Sequence, residues 1–256
     1  MRLHACTSVS AACSTIFSGL ALAISVIFSA SSSQAVVVTL DSGNTTSIAS
    51  YAGVSQSAQD VVQPSSFPVS DTLNAVSGID TSTTAVSLTN TAFSIDMTHS
   101  RDSAFNHWAK TEGFVYFSVD QDVDYEATGS YSVLDGGGSG ANVQLYGVLQ
   151  DLTAANDLFF SDQQSGGDPN ESFTLGLSEG SVSNFTVGSL TGTLLAGHDY
   201  VFAFGATSAN VGFAASGTVS GSGNITLTFI PEPSTALLLG LGLVGLSKKR
   251  KRAVAL

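Results

Sequence analysis

Cysteine is nearly missing from this 256-residue chain, and its two copies, Cys6 and Cys13, both stand close to the start. They precede the processing site argued below, so the mature body is expected to hold no disulfide, no catalytic thiol and no cysteine-ligated metal. Basic side chains are almost as scarce. Arg2 lies near the start and five of the eight Lys and Arg residues cluster between 248 and 252, which leaves Arg101 and Lys110 for everything between. From residue 36 to 230 those two face 19 Asp and Glu, a formal charge near −17. Such a surface repels phosphate backbones instead of releasing their counterions, so nucleic acid is not expected as a partner. With Lys110 as the one lysine of that stretch there is no phosphate-binding loop. A Gly-x-Ser-x-Gly elbow is also lacking, and no 20- to 50-residue repeat is visible, which excludes a serine hydrolase of that type, solenoids and propellers.

What is present is clearest at the two ends. Arg2 and His4 lead into an apolar stretch over residues 16–28 and then Ser33-Gln34-Ala35. A basic start, an apolar centre and small residues at −3 and −1 describe a secretory signal peptide cut after Ala35, which implies the Sec translocon as a partner. Cys13 stands before the apolar stretch, not after it, which does not fit a lipoprotein. At the other end, Pro231, Glu232 and Pro233 stop a β-like segment, because proline cannot donate to a strand ladder. Ser234 or Thr235 can then cap an apolar helix. About 14 residues at ~1.5 Å each rise near 21 Å against ~30 Å of hydrocarbon, a marginal span suited to transient inner-membrane anchoring. The basic cluster Lys248, Lys249, Arg250, Lys251 and Arg252 keeps that end cytoplasmic and places the body across the inner membrane.

The order Pro231-Glu232-Pro233, Ser234-Thr235, Leu/Gly-rich helix and basic cluster resembles the PEP-CTERM sorting domain. The resemblance covers about residues 231–252, with residues 253–256 running past the point where such tails often end. It implies recognition by an exosortase-type enzyme, processing at or near the tripeptide and release to the surface of an exopolysaccharide-making Gram-negative cell.

The stretch between the ends reads as one domain. Strand-like segments recur at residues 85–97, 113–119, 125–133, 142–149, 172–177, 184–187, 199–204, 211–219 and 224–230, separated by turn residues, with a short β-like start at 36–40 and an unreadable region up to 85. No helix is expected inside it. The expected organisation is a signal peptide at 1–35, an acidic body at 36–230 and a sorting tail at 231–256. The expected fold is all-β, an antiparallel β-sandwich of jelly-roll type, with a signal helix before it and a short transmembrane helix after it.

Candidate chemistry is sparse. Asp120, Asp122, Asp124 and Glu126 alternate, so a continuous strand would put all four carboxylates on one face, a costly arrangement without a cation such as calcium. In a turn they are ordinary loop acids. An EF-hand is excluded because Tyr125 and Tyr131 stand where its glycine and last glutamate belong. His99, His107 and His198 lack zinc-site spacing and read as loop or surface residues. Trp108 with Phe105, Tyr116 and Tyr125 could form an aromatic platform for sugars, although a lone Trp more often fills a core. The leading expectation is a non-enzymatic surface or matrix protein, structural or adhesive, associated with exopolysaccharide and without a cofactor. The alternatives are a carbohydrate-binding module, with or without calcium, and a polysaccharide hydrolase, which needs only two facing carboxylates.

Overall fold

The computed structural model describes residues 36–102, 106–135, 142–166, 170–176, 183–209 and 217–231. The signal segment with Ala35, and the tail from Glu232 and Pro233 to the basic cluster at 248–252, lie outside the described residues, as does Phe105. The described residues form strands and no helix: β1 (Val38–Leu40), β2 (Ser47–Val54), β3 (Ala58–Val62), β4 (Val69–Ser77), β5 (Asp80–Leu88), β6 (Ala92–Asp102), β7 (His107–Val119), β8 (Val123–Asp135), β9 (Asn142–Asp151), β10 (Asn156–Gly166), β11 (Asn170–Thr174), β12 (Ser183–Gly188), β13 (Thr191–Leu194), β14 (Asp199–Ala209) and β15 (Thr218–Ile230).

They assemble into two antiparallel sheets. The larger has the order β12-β10-β9-β14-β7-β2-β3, with β1 also on β7; the smaller runs β11-β8-β15-β6-β5-β4, with β13 also on β8. Strand alternation decides what each sheet buries. In β7, Val115, Phe117 and Val119 face inward and are buried, while Phe114, Tyr116 and Ser118 point away. Rings from the two sheets meet inside: Phe93 of β6 lies edge-on to Phe117 of β7 at 5.1 Å, and Phe229 of β15 reaches Phe117 at 5.5 Å and Phe93 at 5.0 Å. The core is therefore shared between the sheets, and with all cysteine outside residues 36–231 it has no disulfide to support it.

Several boundaries differ from the sequence reading for physical reasons. Residues 85–97 are not one strand; a turn at Thr89, Asn90 and Thr91 splits β5 from β6, and Thr89 holds it by accepting the Ala92 N–H at its Oγ1 at 3.1 Å. No glycine or proline marks that turn. Residues 218–230 form one strand through Ser220-Gly221-Ser222-Gly223, a stretch that reads as a breaker. Gly221 is needed there because a Cβ would collide with the ring and hydroxyl of Tyr131. β2, β3, β4, β10 and β13 had no counterpart among the expected strands beyond 36–40.

A line of polar side chains crosses the apolar interior. Ser82 and Ser50 hydroxyls meet at 2.6 Å, Thr84 donates to Ser50 at 3.2 Å and meets Thr111 at 2.6 Å, and His99 bridges Thr111 (Nε2, 3.0 Å) to Tyr131 (Nδ1, 2.6 Å). Ser50 and Thr111 belong to the larger sheet and the other four to the smaller, so the hydrogen bonds tie the two together. His99 is thus a core residue, not a surface one, and burial holds its pKa down to about 3.

Candidate functional site

The acidic run is divided between a turn and a strand, with Asp120 and Asp122 in the turn and Asp124 and Glu126 in β8. Asp120 and Gln121 form the bend after β7, Asp122 follows, and β8 starts at Val123. The three aspartates each already serve a protein donor. Asp120 Oδ1 accepts the Val37 N–H at 2.8 Å, Asp122 Oδ1 accepts the Ala196 N–H at 2.8 Å, and Asp124 Oδ1 accepts the Thr193 hydroxyl at 2.6 Å. The turn thereby pins β1 on one side and the β13–β14 connection on the other. Among the described residues no group of three or more His, Cys, Asp or Glu is placed to hold a metal ion. Asp120→Ala should cost about 1.5–3 kcal/mol, the worth of a hydrogen bond to a charged group. EDTA should leave the wild-type melting temperature in place; a fall on adding EDTA that calcium reverses would assign these acids to a cation instead.

Two ion-pair-distance contacts anchor strand ends elsewhere, one at the end of β9 and one between the starts of β5 and β7. His198 Nδ1 lies 2.7 Å from Asp151 Oδ2, and His107 Nδ1 lies 2.6 Å from Asp80 Oδ2. Both carboxylates also cap backbone N–H groups, Asp151 that of Ala154 and Asp80 that of Asp102. Beside His198, the Tyr200 hydroxyl takes the Leu195 N–H at 2.7 Å, and burial first of all pushes its pKa up to about 12. These are structural duties. The register of β15 sets Ile230 opposite Asp124, so the last strand ends beside the acidic turn, the same end at which Val37 enters. Pro231 follows directly and is exposed.

The two outward faces are unlike each other. On the smaller sheet, Thr83, Thr98, Ser222, Ser132 and Ser172 stand in register across β5, β6, β15, β8 and β11. A shallow depression there is lined by Thr98, Ser132, Leu134, Ser172, Ser220 and Ser222. On the larger sheet, register brings Phe114, Ala203, Val148, Phe160 and Val187 into one outward row across β7, β14, β9, β10 and β12. Phe114 is 42% exposed and Val187 50%, and Phe185, 55% exposed, sits edge-on to Phe160 at 5.7 Å.

Polar rows flank that apolar one. On one side Glu112, Gly205, Tyr146 and Asp162 follow in register; Gly205 lacks a Cβ that would strike the Tyr146 ring at 2.6 Å, so the ring lies down over the sheet. Asp162 accepts one amide from Gln144 at 2.9 Å and one from Gln164 at 2.8 Å. Lys110 pairs with Glu112 and lies 5.8 Å from the Tyr51 ring centre. Burial, helped by Glu112 and Asp162, raises the Tyr146 pKa, and burial with Glu112 raises that of Tyr51, so both phenols stay protonated. On the other side Gln150 donates to Asp157 at 3.0 Å.

The aromatic quartet suggested by the sequence does not assemble as such. Tyr125 is buried in the core, Tyr116 and Trp108 face outward half-buried, and Trp108 Nε1 donates to Asn106 at 3.2 Å. The row that does form uses residues from five strands, four of which sequence reasoning had not linked to Phe114.

A family model described as the PEP-CTERM protein-sorting motif matches residues 229–252. No curated protein matches the chain. Among solved structures, that of infectious bursal disease virus Gx strain is 10% identical over 78% of this chain and 56% of that one, with a TM-score of 0.26. The VP2 subviral particle of the same virus is 9% identical over 84% and 72%, with a TM-score of 0.16. The chain thus spans little more than half the length of the first of these, and likenesses at such scores establish no shared fold. The chain thus carries the PEP-CTERM protein-sorting motif at residues 229–252, which indicates an exported protein sorted by an exosortase-type enzyme.

Proposed function

We propose that the protein is a non-enzymatic surface or matrix component: a jelly-roll-type sandwich carried by the Sec translocon, held briefly by its tail, released at residues 231–233 and adhering within exopolysaccharide. The carrying observation is where the motif begins. It overlaps the end of β15, a strand paired on both sides by β8 and β6, and the first proline is exposed at once after Ile230. Processing at the tripeptide therefore removes none of the described strands from the two sheets. Cleavage after Ala35 would spare the described strands equally, because Val36 is the first of the described residues and already lies in the core.

Intact mass of the protein from the native host tests this. A species starting at Val36 and ending near Pro231 to Pro233 is expected in the extracellular or matrix fraction. A full-length C-terminus confined to the inner membrane would mean a permanent anchor and would remove the reading. A carbohydrate-binding module is the second reading, favoured by the apolar row with polar borders on the larger sheet. Asp120, Asp122 and Asp124 enter neither reading as catalytic groups, and calcium is not required by either.

A further inference from the structure

The geometry points to the outward face of the larger sheet as the binding surface for a neutral, linear polysaccharide, laid across the strands along the row from Phe114 to Val187. This names the ligand class for the carbohydrate-binding reading and rests on it. Neighbouring strands are ~4.8 Å apart, so five strands give a row about 19 Å long, room for about four pyranose rings. A pyranose offers an apolar C–H face and a rim of hydroxyls. Here the apolar row supplies the first complement, with Phe114 and Phe160 as rings to stack on, and Phe185, opposite Asp162 in the next row, stands edge-on to Phe160. The flanking rows supply the second: Glu112, Asp157 and Asp162 are fixed by Lys110, Gln150, Gln144 and Gln164, which leaves pre-oriented acceptors for sugar O–H donors.

Charge decides between occupants. An acceptor-rich face on a body near −17 repels acidic polymers and a second copy of itself, whereas a neutral polyhydroxyl chain brings donors and no charge. The opposite face carries hydroxyls in register but no aromatic ring among its outward described residues, so it lacks the stacking half of the arrangement.

Affinity electrophoresis of the processed protein in gels cast with hydroxyethyl cellulose or with alginate, with and without EDTA, tests the assignment. Retardation is expected in the neutral polymer only and independent of EDTA. Phe114→Ala and Phe160→Ala should each weaken it at least tenfold, and Thr98→Ala on the opposite face should not change it. No retardation in hydroxyethyl cellulose or any other neutral glucan or mannan, or retardation indifferent to both phenylalanine changes, would overturn it. So would self-association that Phe114→Ala abolishes, since a second copy would then be the occupant. The full-length protein released from the inner membrane in detergent gives the same reading if only the processing proposal is wrong, so the two failures are separable.

Discussion

Lowering the pH from 7 to 5 is expected to remove about 2 kcal/mol of stability through His99 alone. Its folded pKa is depressed to about 3 by burial, while the unfolded chain takes the proton near 6.5. Stability from this group is complete above about pH 6.5. It falls as the pH drops towards 3, because in that window only the unfolded state binds the proton, at about 1.4 kcal/mol per pH unit. The cause is positional. Nδ1 and Nε2 are both taken, by Tyr131 and Thr111, in a part of the interior that water does not reach. Urea midpoints of wild type and His99→Gln at pH 7, 6 and 5 isolate the effect, since carboxylates titrate alike in both proteins. The variant should start lower and show the flatter slope; parallel slopes would mean that His99 is protonated in the folded state and that the polar line is open to solvent.

That line also shows what the amino-acid sequence hides. Ser50, Thr84, His99 and Thr111 alternate with outward residues as apolar side chains would, so their strands look half-polar on both faces. β10 fails for the same reason: Ser161 and Gln163 are buried while Asp162 and Gln164 point outward, which erases the period-two signal. Where inward positions are apolar, as in residues 113–119 of β7 and in most of β8, β9 and β14, the strands are readable and only their ends shift. The acidic turn stands between these cases. Its alternation fits a strand or a turn, and the choice is made by Val37, Thr193 and Ala196, partners that lie 69 or more positions away. The outward row of the larger sheet was out of reach altogether, because its five members come from five strands whose order is set by topology.

Phe93→Ala should be the most damaging single change considered, at about 3–5 kcal/mol. Phe93 is fully buried and packs against three rings: Phe67 at 5.4 Å, Phe117 of the larger sheet at 5.1 Å and Phe229 at 5.0 Å. Truncation leaves a cavity between two sheets, and neither can close it without shifting the other's register. For a domain of roughly 195 residues, each kcal/mol moves the melting temperature about 2–4 °C, so a fall of about 6–20 °C is expected. A fall under about 2 °C would mean that the rings repack and that the sheets are held chiefly by the polar line through His99. Phe114→Ala, at a half-exposed site on the outward face, should by contrast melt close to wild type. The contrast bears on sorting as well as on stability. Phe229 lies two residues before Pro231 on β15, so the ring cluster that joins the sheets also fixes the strand from which the sorting motif departs. Loss of Phe93 should therefore loosen the strand in which the sorting motif begins, and limited proteolysis of Phe93→Ala should show early cuts within β15 that Phe114→Ala does not.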